Sequence, residues 1–319
     1  MLEKLINDNY DIKVKSLERI TEHFGREMFL ADTDNGKYFV KTLSADDLQD
    51  IEKVGYITEF LDNNGVKVAK LLKTNKGIYN LIANNRQIHL QEFIEGETVK
   101  INSAPDWLLD QSADILGRIQ KILKYYPQLP LEWGKDYFND GYVKWAKQDR
   151  SEKLIKAKEI KDAVLIFELE EQIKHFSKIS TFEFDTNKMT YANSHGDYRA
   201  GNYIIQDREL AIIDWDCAAY IPACLDLISS YTFADPMCKN GMIDRNRFKR
   251  YINQYAKHFS LNGYDLKIMP YVFYYWRCRC NYAPPYSGLA GTEYMPVCVL
   301  IQNLLNWLYE NAEKLSADL

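Results

Sequence analysis

The residues with the clearest chemical potential lie in two short segments of the sequence, SHGDYRAGN at 194–202 and IIDWD at 212–216. The first contains a His-Gly-Asp step with an asparagine five residues after the aspartate, and the second ends in two further aspartates. Phosphoryl transfer from ATP needs a carboxylate that accepts the proton of the acceptor hydroxyl, together with an amide and a second carboxylate that hold Mg²⁺ against the phosphates. The spacing therefore predicts a phosphotransferase site.

The side chains in these segments can be given roles by their type. We expect Asp197 to orient and deprotonate the acceptor hydroxyl, and Asn202 and Asp214 to offer oxygen ligands to Mg²⁺. Arg199 is expected to direct its guanidinium at the transferred phosphate, because this group stays charged and binds two oxygens at once. His195 is expected to brace the loop rather than to exchange protons in the reaction.

The chain between the two segments is typical of a β-hairpin. An apolar run at 203–205 is followed by a polar turn at 206–209 and a second apolar run at 210–213. A hairpin has no structural need for carboxylates at its open end, since neighbouring carboxylates repel each other. The pattern therefore favours a functional interpretation of the acids over a structural one.

With these motifs the chain resembles the superfamily of aminoglycoside phosphotransferases and choline kinases, relatives of the protein kinases. The resemblance is specific over residues 193–230 and covers most of the chain in outline. The family usually has a histidine where Arg199 stands, so the phosphate contact of Arg199 follows by analogy with the lysine of protein kinases. The Asp-Tyr step at 197–198 and the tyrosine-rich carboxyl end also resemble the CotS-type spore-coat kinase-like proteins.

The resemblance implies an α+β, two-lobed protein-kinase-like fold. Such a fold has a small antiparallel β N-lobe with one helix and a larger, mainly helical C-lobe. It also implies ATP and Mg²⁺ as cofactors and a hydroxyl group of a small molecule as the phosphoryl acceptor.

The amino-terminal part of the sequence predicts a small antiparallel sheet. Residues 10–43 alternate in the manner of strands, and DTDNG at 32–36 forms a turn. On the returning strand Lys41 follows an apolar run, at the place where a kinase-like lobe needs a cation for the α and β phosphates. The alternative is a solvated lysine on an edge strand. The loop at 22–27 contains a single glycine, so a Gly-x-Gly-x-x-Gly phosphate loop is missing there.

A helix is predicted to begin near Ser44, where two aspartates follow, and to end at Asn64, because apolar residues recur at three- and four-residue intervals. It carries Glu52 and Glu59, two turns apart on nearly the same face. Either could pair with Lys41 and fix its ammonium over the phosphates, and Glu52 is preferred. The alternative is that both are exposed residues of an amphipathic helix.

Three further strands are predicted after this helix, at 66–72, 77–83 and 87–94. The last runs directly into the predicted hinge, which divides the chain into a nucleotide-binding lobe, 1–95, and a catalytic and substrate-binding lobe, 96–319. The family resemblance implies that backbone groups of Glu92, Phe93 and Ile94 pair with adenine.

The sequence has helical periodicity from Trp107 onward. Aromatic residues are concentrated at 133–145 and 271–277, where they either pack in the core or line the acceptor pocket. Asp226 stands where the superfamily has an acid that braces the catalytic loop through backbone amides, so we interpret it as structural support.

Composition excludes several classes of protein. A length of 319 residues fits two lobes, and 46% hydrophobic residues provide ample material for a core. The net charge of -5 does not favour nucleic acid as a partner. No signal peptide or membrane span is recognised, which predicts a cytoplasmic protein.

A protein of a different class remains as the alternative. The 23 tyrosines would suit a spore-coat protein with a kinase fold, which binds nucleotide or nothing and assembles with other coat proteins. A pure scaffold has little use, however, for the acids, the amide and the lysine described above. Transfer to protein side chains ranks lower, because no activation segment follows Asp214.

Overall fold

The computed structural model describes residues 2–23, 26–44, 49–132, 134, 137–138, 140–179, 182–279, 291–317 and 319. Three predicted features lie partly outside these residues: the loop at 22–27, the helix start at 44–47 and the aromatic segment at 133–145. None of the helices in the described part of the chain combines the length and the apolar character needed to span a membrane.

The chain forms two compact units. The first comprises Met1–Val99, Tyr125–Pro127 and Gly201–Ala218. The second comprises Lys100–Lys124, Gln128–Ala200 and Ala219–Leu319.

In its described residues the first unit contains two α-helices and two sheets. Its helices are α1 (Leu2–Asn9) and α2 (Ile51–Asn63). Its strands are β1 (Val14–His23), β2 (Arg26–Thr33), β3 (Gly36–Ser44), β4 (Leu81–Ala83), β5 (Arg86–Glu92), β6 (Glu97–Thr98), β8 (Tyr203–Gln206) and β9 (Glu209–Ile212). The intervening strand β7 (Tyr191–Ser194) belongs to the second unit. One sheet is antiparallel with the order β1-β2-β3-β5-β4, and the other has the order β6-β8-β9.

The register between β3 and β5 separates two faces of the larger sheet. Val40 lies opposite Leu90, and both are fully buried in a core that includes Ile6 of α1. The next pair along the strands is Lys41 and His89. Because opposed residues of antiparallel strands share a face and successive residues alternate, Lys41 and His89 lie on the face away from this core.

Helix α2 begins later than the sequence predicts. Its amino-terminal cap is Asp50, whose side chain accepts the backbone N–H of Lys53 at 3.0 Å. The physical reason is that Asp50, three residues before Lys53, satisfies one of the unpaired backbone donors of the first turn, whereas Ser44 lies in β3. Helix α1 was not predicted at all.

Segment 66–72 is extended but forms isolated bridges rather than the predicted strand. Val68 pairs with Ile212 and Leu71 pairs with Gln91. Ile212 also donates its N–H to the carbonyl of Lys67 at 3.0 Å. This segment therefore contacts both sheets of the first unit.

The second unit is mainly helical, with one short sheet in which β7 (Tyr191–Ser194) pairs with β10 (Ala219–Pro222). Its helices are α3 (Asp106–Ile122), α4 (Asp140–Glu159), α5 (Ala163–Ile179), α6 (Ala223–Ala234), α7 (Arg245–Ala256), α8 (Gly263–Arg279) and α9 (Gly291–Ala317). Every residue of α6 is buried, and this helix packs against α3, α7 and α8. The small antiparallel sheet and the larger helical part agree with the architecture expected from the sequence.

Replacing Gly55 with alanine should destabilise the protein. A Cβ atom at Gly55 of α2 would lie 2.2 Å from ring atoms of Tyr79, so the helix or the buried ring must shift. We expect the free energy of unfolding in urea to fall by about 1–3 kcal/mol. Gly263→Ala is the matched control, because a Cβ there meets nothing within 4 Å. Equal losses in the two variants would contradict the packing argument.

Candidate active site

The hairpin predicted between the two motif segments is present as β8 and β9. Its turn residues Asp207 and Arg208 have φ angles of 51° and 64°, as a tight two-residue hairpin turn requires. At the open end of the hairpin, Ile213 donates its N–H to the carbonyl of Asn202 at 3.0 Å. The backbone of Asn202 therefore lies directly beside the residue that precedes Asp214.

Asp214 has a left-handed backbone conformation, with φ 65° and ψ 62°. For a residue other than glycine this conformation costs roughly 1–2 kcal/mol, although aspartate tolerates it better than most. The turn that follows is anchored by Trp215, which is fully buried and donates its ring N–H to the carbonyl of Ile212 at 3.3 Å. Ala218 closes the turn by donating its N–H to the carbonyl of Trp215 at 3.0 Å.

Lys41 and Asp214 form an ion pair within the first unit. The Lys41 Nζ lies 3.0 Å from Asp214 Oδ1 and 4.0 Å from Asp216 Oδ2. The Asp214 side chain is still 44% exposed, so the pair is screened by water and contributes less than about 1 kcal/mol to stability. The ion pair connects Lys41 of β3 with Asp214, which follows β9.

Asn202 and Asp214 carry the amide and carboxylate oxygens that Mg²⁺ prefers as ligands. The exposure of Asp214 leaves its carboxylate accessible to a cation from solution. The chemistry of these two side chains suits the metal that the family resemblance implies, and their assignment as its ligands stays a prediction.

A buried histidine lies beside this ion pair. His89 is 1% exposed, and burial, followed by the nearby Lys41, lowers its pKa to about 3, while Asp214 acts in the opposite direction. The imidazole is thus neutral at neutral pH and adds no charge to the pair. Sequence analysis did not single out His89, because its position opposite Lys41 follows from the strand register.

The predicted partner of Lys41 is corrected by the structure. Glu52 Oε1 accepts the backbone N–H groups of Tyr79 and Asn80, at 2.8 and 2.9 Å. Glu59 accepts the hydroxyl of Tyr79 at 2.8 Å. Both glutamates thus fasten α2 to the segment before β4, and the carboxylate that pairs with Lys41 is Asp214. The physical reason is that two unpaired backbone donors compete for Glu52 at close range.

The predicted hinge backbone is partly engaged within the chain. The N–H of Glu92 donates to the carbonyl of Lys70 at 2.8 Å, and that of Phe93 donates to the carbonyl of Lys37 at 3.1 Å. An amide hydrogen already donated to a carbonyl is not available to a nucleotide base. The pairing of Glu92, Phe93 and Ile94 with adenine stays a prediction, and the amide hydrogens of Glu92 and Phe93 are not available for it.

The second unit contains the loop that follows β7. Arg199 Nε donates to Asp197 Oδ1 at 2.7 Å, and the Asp197 side chain is 25% exposed. His195 is fully buried, and its Nδ1 accepts the backbone N–H of Asp197 at 3.2 Å. This contact is the one expected of a residue that braces the loop. The guanidinium of Arg199, by contrast, binds the carboxylate that sequence analysis assigned as the base.

Asp226 of α6 supports the same loop. Its Oδ2 accepts the backbone N–H of Gly196 at 3.0 Å, and the residue is 1% exposed. Burial raises the pKa of the Asp226 carboxyl, while His195 and the bond from Gly196 act in the opposite direction. The bracing role predicted for Asp226 is confirmed by this contact.

Removing the carboxylate of Asp226 should destabilise the loop. In Asp226→Ala the N–H of Gly196 loses its acceptor at a partly buried position, and we expect the free energy of unfolding to fall by about 1–3 kcal/mol. Asp226→Asn keeps one acceptor oxygen and should lose less. Urea titrations of both variants at pH 7 test this order, and an alanine variant as stable as the wild type would contradict it.

Comparisons with known proteins identify the family of the chain and its fold. Residues 16–262 match the family model described as the phosphotransferase enzyme family, APH. A search of curated proteins finds no match.

Several solved structures share the fold. An amicoumacin kinase in complex with AMP-PNP, Ca²⁺ and Ami has a TM-score of 0.63 and 14% identity, over 98% of this chain and 92% of that one. A microcompartment-associated aminopropanol kinase has a TM-score of 0.61 and 14% identity, over 98% of both chains. Choline kinase from Cryptosporidium parvum Iowa II has a TM-score of 0.59 and 12% identity, over 98% of this chain and 96% of that one.

At these identities the likeness establishes the fold, which confirms the predicted protein-kinase-like architecture. The family model covers most of the chain, including both motif segments from which the chemistry was inferred. The chain therefore belongs to the phosphotransferase enzyme family.

Proposed function

We propose that this protein transfers the γ-phosphoryl group of ATP to a hydroxyl group of a small molecule, with Mg²⁺ as the metal ion. The observation that carries the proposal is the 3.0 Å ion pair between Lys41 and Asp214. It joins the cation assigned to the nucleotide phosphates with the carboxylate assigned to the metal. Phosphoryl transfer depends on such positioned charges more than on covalent chemistry by the protein.

In the proposed reaction the acceptor oxygen attacks the γ-phosphorus while the bond from phosphorus to the bridging oxygen of ADP breaks. Asp197 orients the hydroxyl and takes its proton, and Arg199 keeps the carboxylate in place and faces the transferred group. Lys41 binds the phosphates that remain on ADP. The metal, when bound by Asn202 and Asp214, supplies positive charge that offsets the charge of the phosphates.

The acceptor site is proposed to include an aromatic cluster of the second unit. The ring of Phe138 lies 4.7 Å from that of Phe184 and 5.3 Å from that of Tyr275, while the hydroxyl of Tyr275 donates to the carbonyl of Tyr137 at 3.0 Å. Phe138 and Phe184 are only partly buried, so their faces can contact a ligand. Such faces bind rings or cationic heads, which supports a small organic alcohol as acceptor.

Asp197→Asn should abolish transfer while leaving the fold intact. The amide cannot accept the proton and no longer attracts the hydroxyl as a carboxylate does, so we expect the rate to fall on the order of 10²-fold or more. The measurement is ATP consumption over a panel of amino-alcohols, choline-like alcohols, aminoglycosides and sugars. Asp207→Asn, the same change in the exposed hairpin turn, is the control. Wild-type rates in Asp197→Asn would contradict the assignment.

Binding of ATP with Mg²⁺ should stabilise the protein in a metal-dependent way. At 100 times the Kd the gain in the free energy of unfolding is about 2.7 kcal/mol, and chelation of the metal should reduce it. Asp214→Asn should lose the metal-dependent part of this gain. Because asparagine tolerates the left-handed backbone equally well, the loss can be attributed to the missing carboxylate. Thermal denaturation with and without EDTA measures both effects. A metal-dependent gain as large in Asp214→Asn as in the wild type would contradict the assignment of the ligand.

The alternative of a spore-coat scaffold with a kinase fold finds less support. Its main argument was the number of tyrosines, which would suit a cross-linked surface layer. Many of them are buried in the described part of the chain instead: Tyr10, Tyr38, Tyr79, Tyr198, Tyr203, Tyr231, Tyr251, Tyr255, Tyr274 and Tyr275. Core packing therefore accounts for much of the tyrosine content. A scaffold that binds no nucleotide would also show no metal-dependent gain in the thermal experiment, whereas one that binds nucleotide would still show no ATP consumption.

A further inference from the structure

Lys53 of α2 contacts the turn that follows Asp214. Its Nζ donates to the carbonyl oxygen of Ala218 at 2.8 Å and lies 3.4 Å from that of Asp216. Both contacts are partly buried and link residues more than 160 positions apart in the chain. The two motif segments described above do not contain this lysine, and the role proposed above for the first unit does not use it.

The position of Lys53 in α2 is electrostatically unfavourable for a positively charged side chain. It lies in the first turn of α2, where its backbone N–H is capped by Asp50. The amino-terminal end of a helix carries partial positive charge, so a cation in this turn is repelled. The carbonyl oxygens of Asp216 and Ala218 carry partial negative charge, which compensates for this repulsion. The local electrostatics thus favour a tertiary role for the ammonium over a role in helix stability.

The carbonyls that Lys53 binds belong to the element that holds Asp214. The turn is closed by the bond from Ala218 to Trp215, and Trp215 is buried directly after the left-handed residue. A donor on the carbonyl of Ala218 therefore adds a second restraint to the turn, besides its internal bond. If the turn relaxed, the backbone of Asp214 would be free to leave its strained conformation.

We propose that Lys53 is a positioning residue for Asp214. Its ammonium clamps the carbonyls of Asp216 and Ala218 and so keeps the carboxylate of Asp214 in the orientation that pairs with Lys41. The helix α2 thereby acts on the metal-binding acid through a basic residue and not through Glu52. The clamp is a property of the ligand-free chain, and only its consequence for metal binding rests on the proposed function.

The first test is hydrogen exchange of the backbone amides of residues 212–218 in the ligand-free protein. Lys53→Met keeps most of the length of the unbranched side chain but removes the donor, and we expect exchange in this segment to become about 10-fold faster. Lys53→Arg retains a cationic donor and should restore most of the protection. Lys76→Met, the same change at an exposed position of the first unit, is the control. Unchanged exchange in Lys53→Met would overturn the proposal.

The second test measures the Kd for ADP with Mg²⁺ by titration calorimetry. We expect Lys53→Met to bind about 10-fold more weakly than the wild type, with recovery in Lys53→Arg, since residues that orient a metal ligand have effects of this size. Binding equal to the wild type in Lys53→Met would overturn the link to the metal. If the wild type itself bound no nucleotide, the proposed function would fail, while the exchange experiment would still decide whether Lys53 clamps the turn.

Discussion

The left-handed backbone of Asp214 is the constraint on which the chemistry of the first unit depends. A strand that ends in this conformation turns its next residues sharply, which buries Trp215 and leaves the carboxylate of Asp214 beside Lys41. The conformation is costly for a side chain with a Cβ, so it persists only because the surrounding contacts determine it. Those contacts come from the hairpin itself, from the buried indole and from α2.

Within each unit, the acidic groups of the candidate site are matched by a donor or a cation. Asp214 pairs with Lys41 in the first unit, and in the second Asp197 pairs with Arg199 and Asp226 accepts a backbone N–H. Such matching reduces the cost of placing carboxylates near one another or in the interior. The exposed fractions of Asp214 and Asp197 nevertheless leave both able to meet a ligand.

The glutamates of helix α2 make different contacts from the pairing with Lys41 that the sequence predicts. Glu52 and Glu59 are occupied in fastening the helix to Tyr79 and Asn80, with Gly55 providing the space for the tyrosine ring. Its contact with the turn after Asp214 is made by Lys53. The helix is thus anchored on one side by backbone donors, and the ammonium group of Lys53 binds carbonyl oxygens of the turn after Asp214.

Local signals in the sequence determined the hairpin, the order of the acids and amide around it, and the division into a small sheet and a helical part, because these features depend on residues close together in the chain. The choice of partners was decided by tertiary structure. Whether Lys41 pairs with Glu52 or with Asp214 depends on which unpaired backbone donors lie near each glutamate. The periodicity of the sequence does not predict which donors these are. The engaged amides of Glu92 and Phe93 likewise follow from neighbouring segments that only folding brings together.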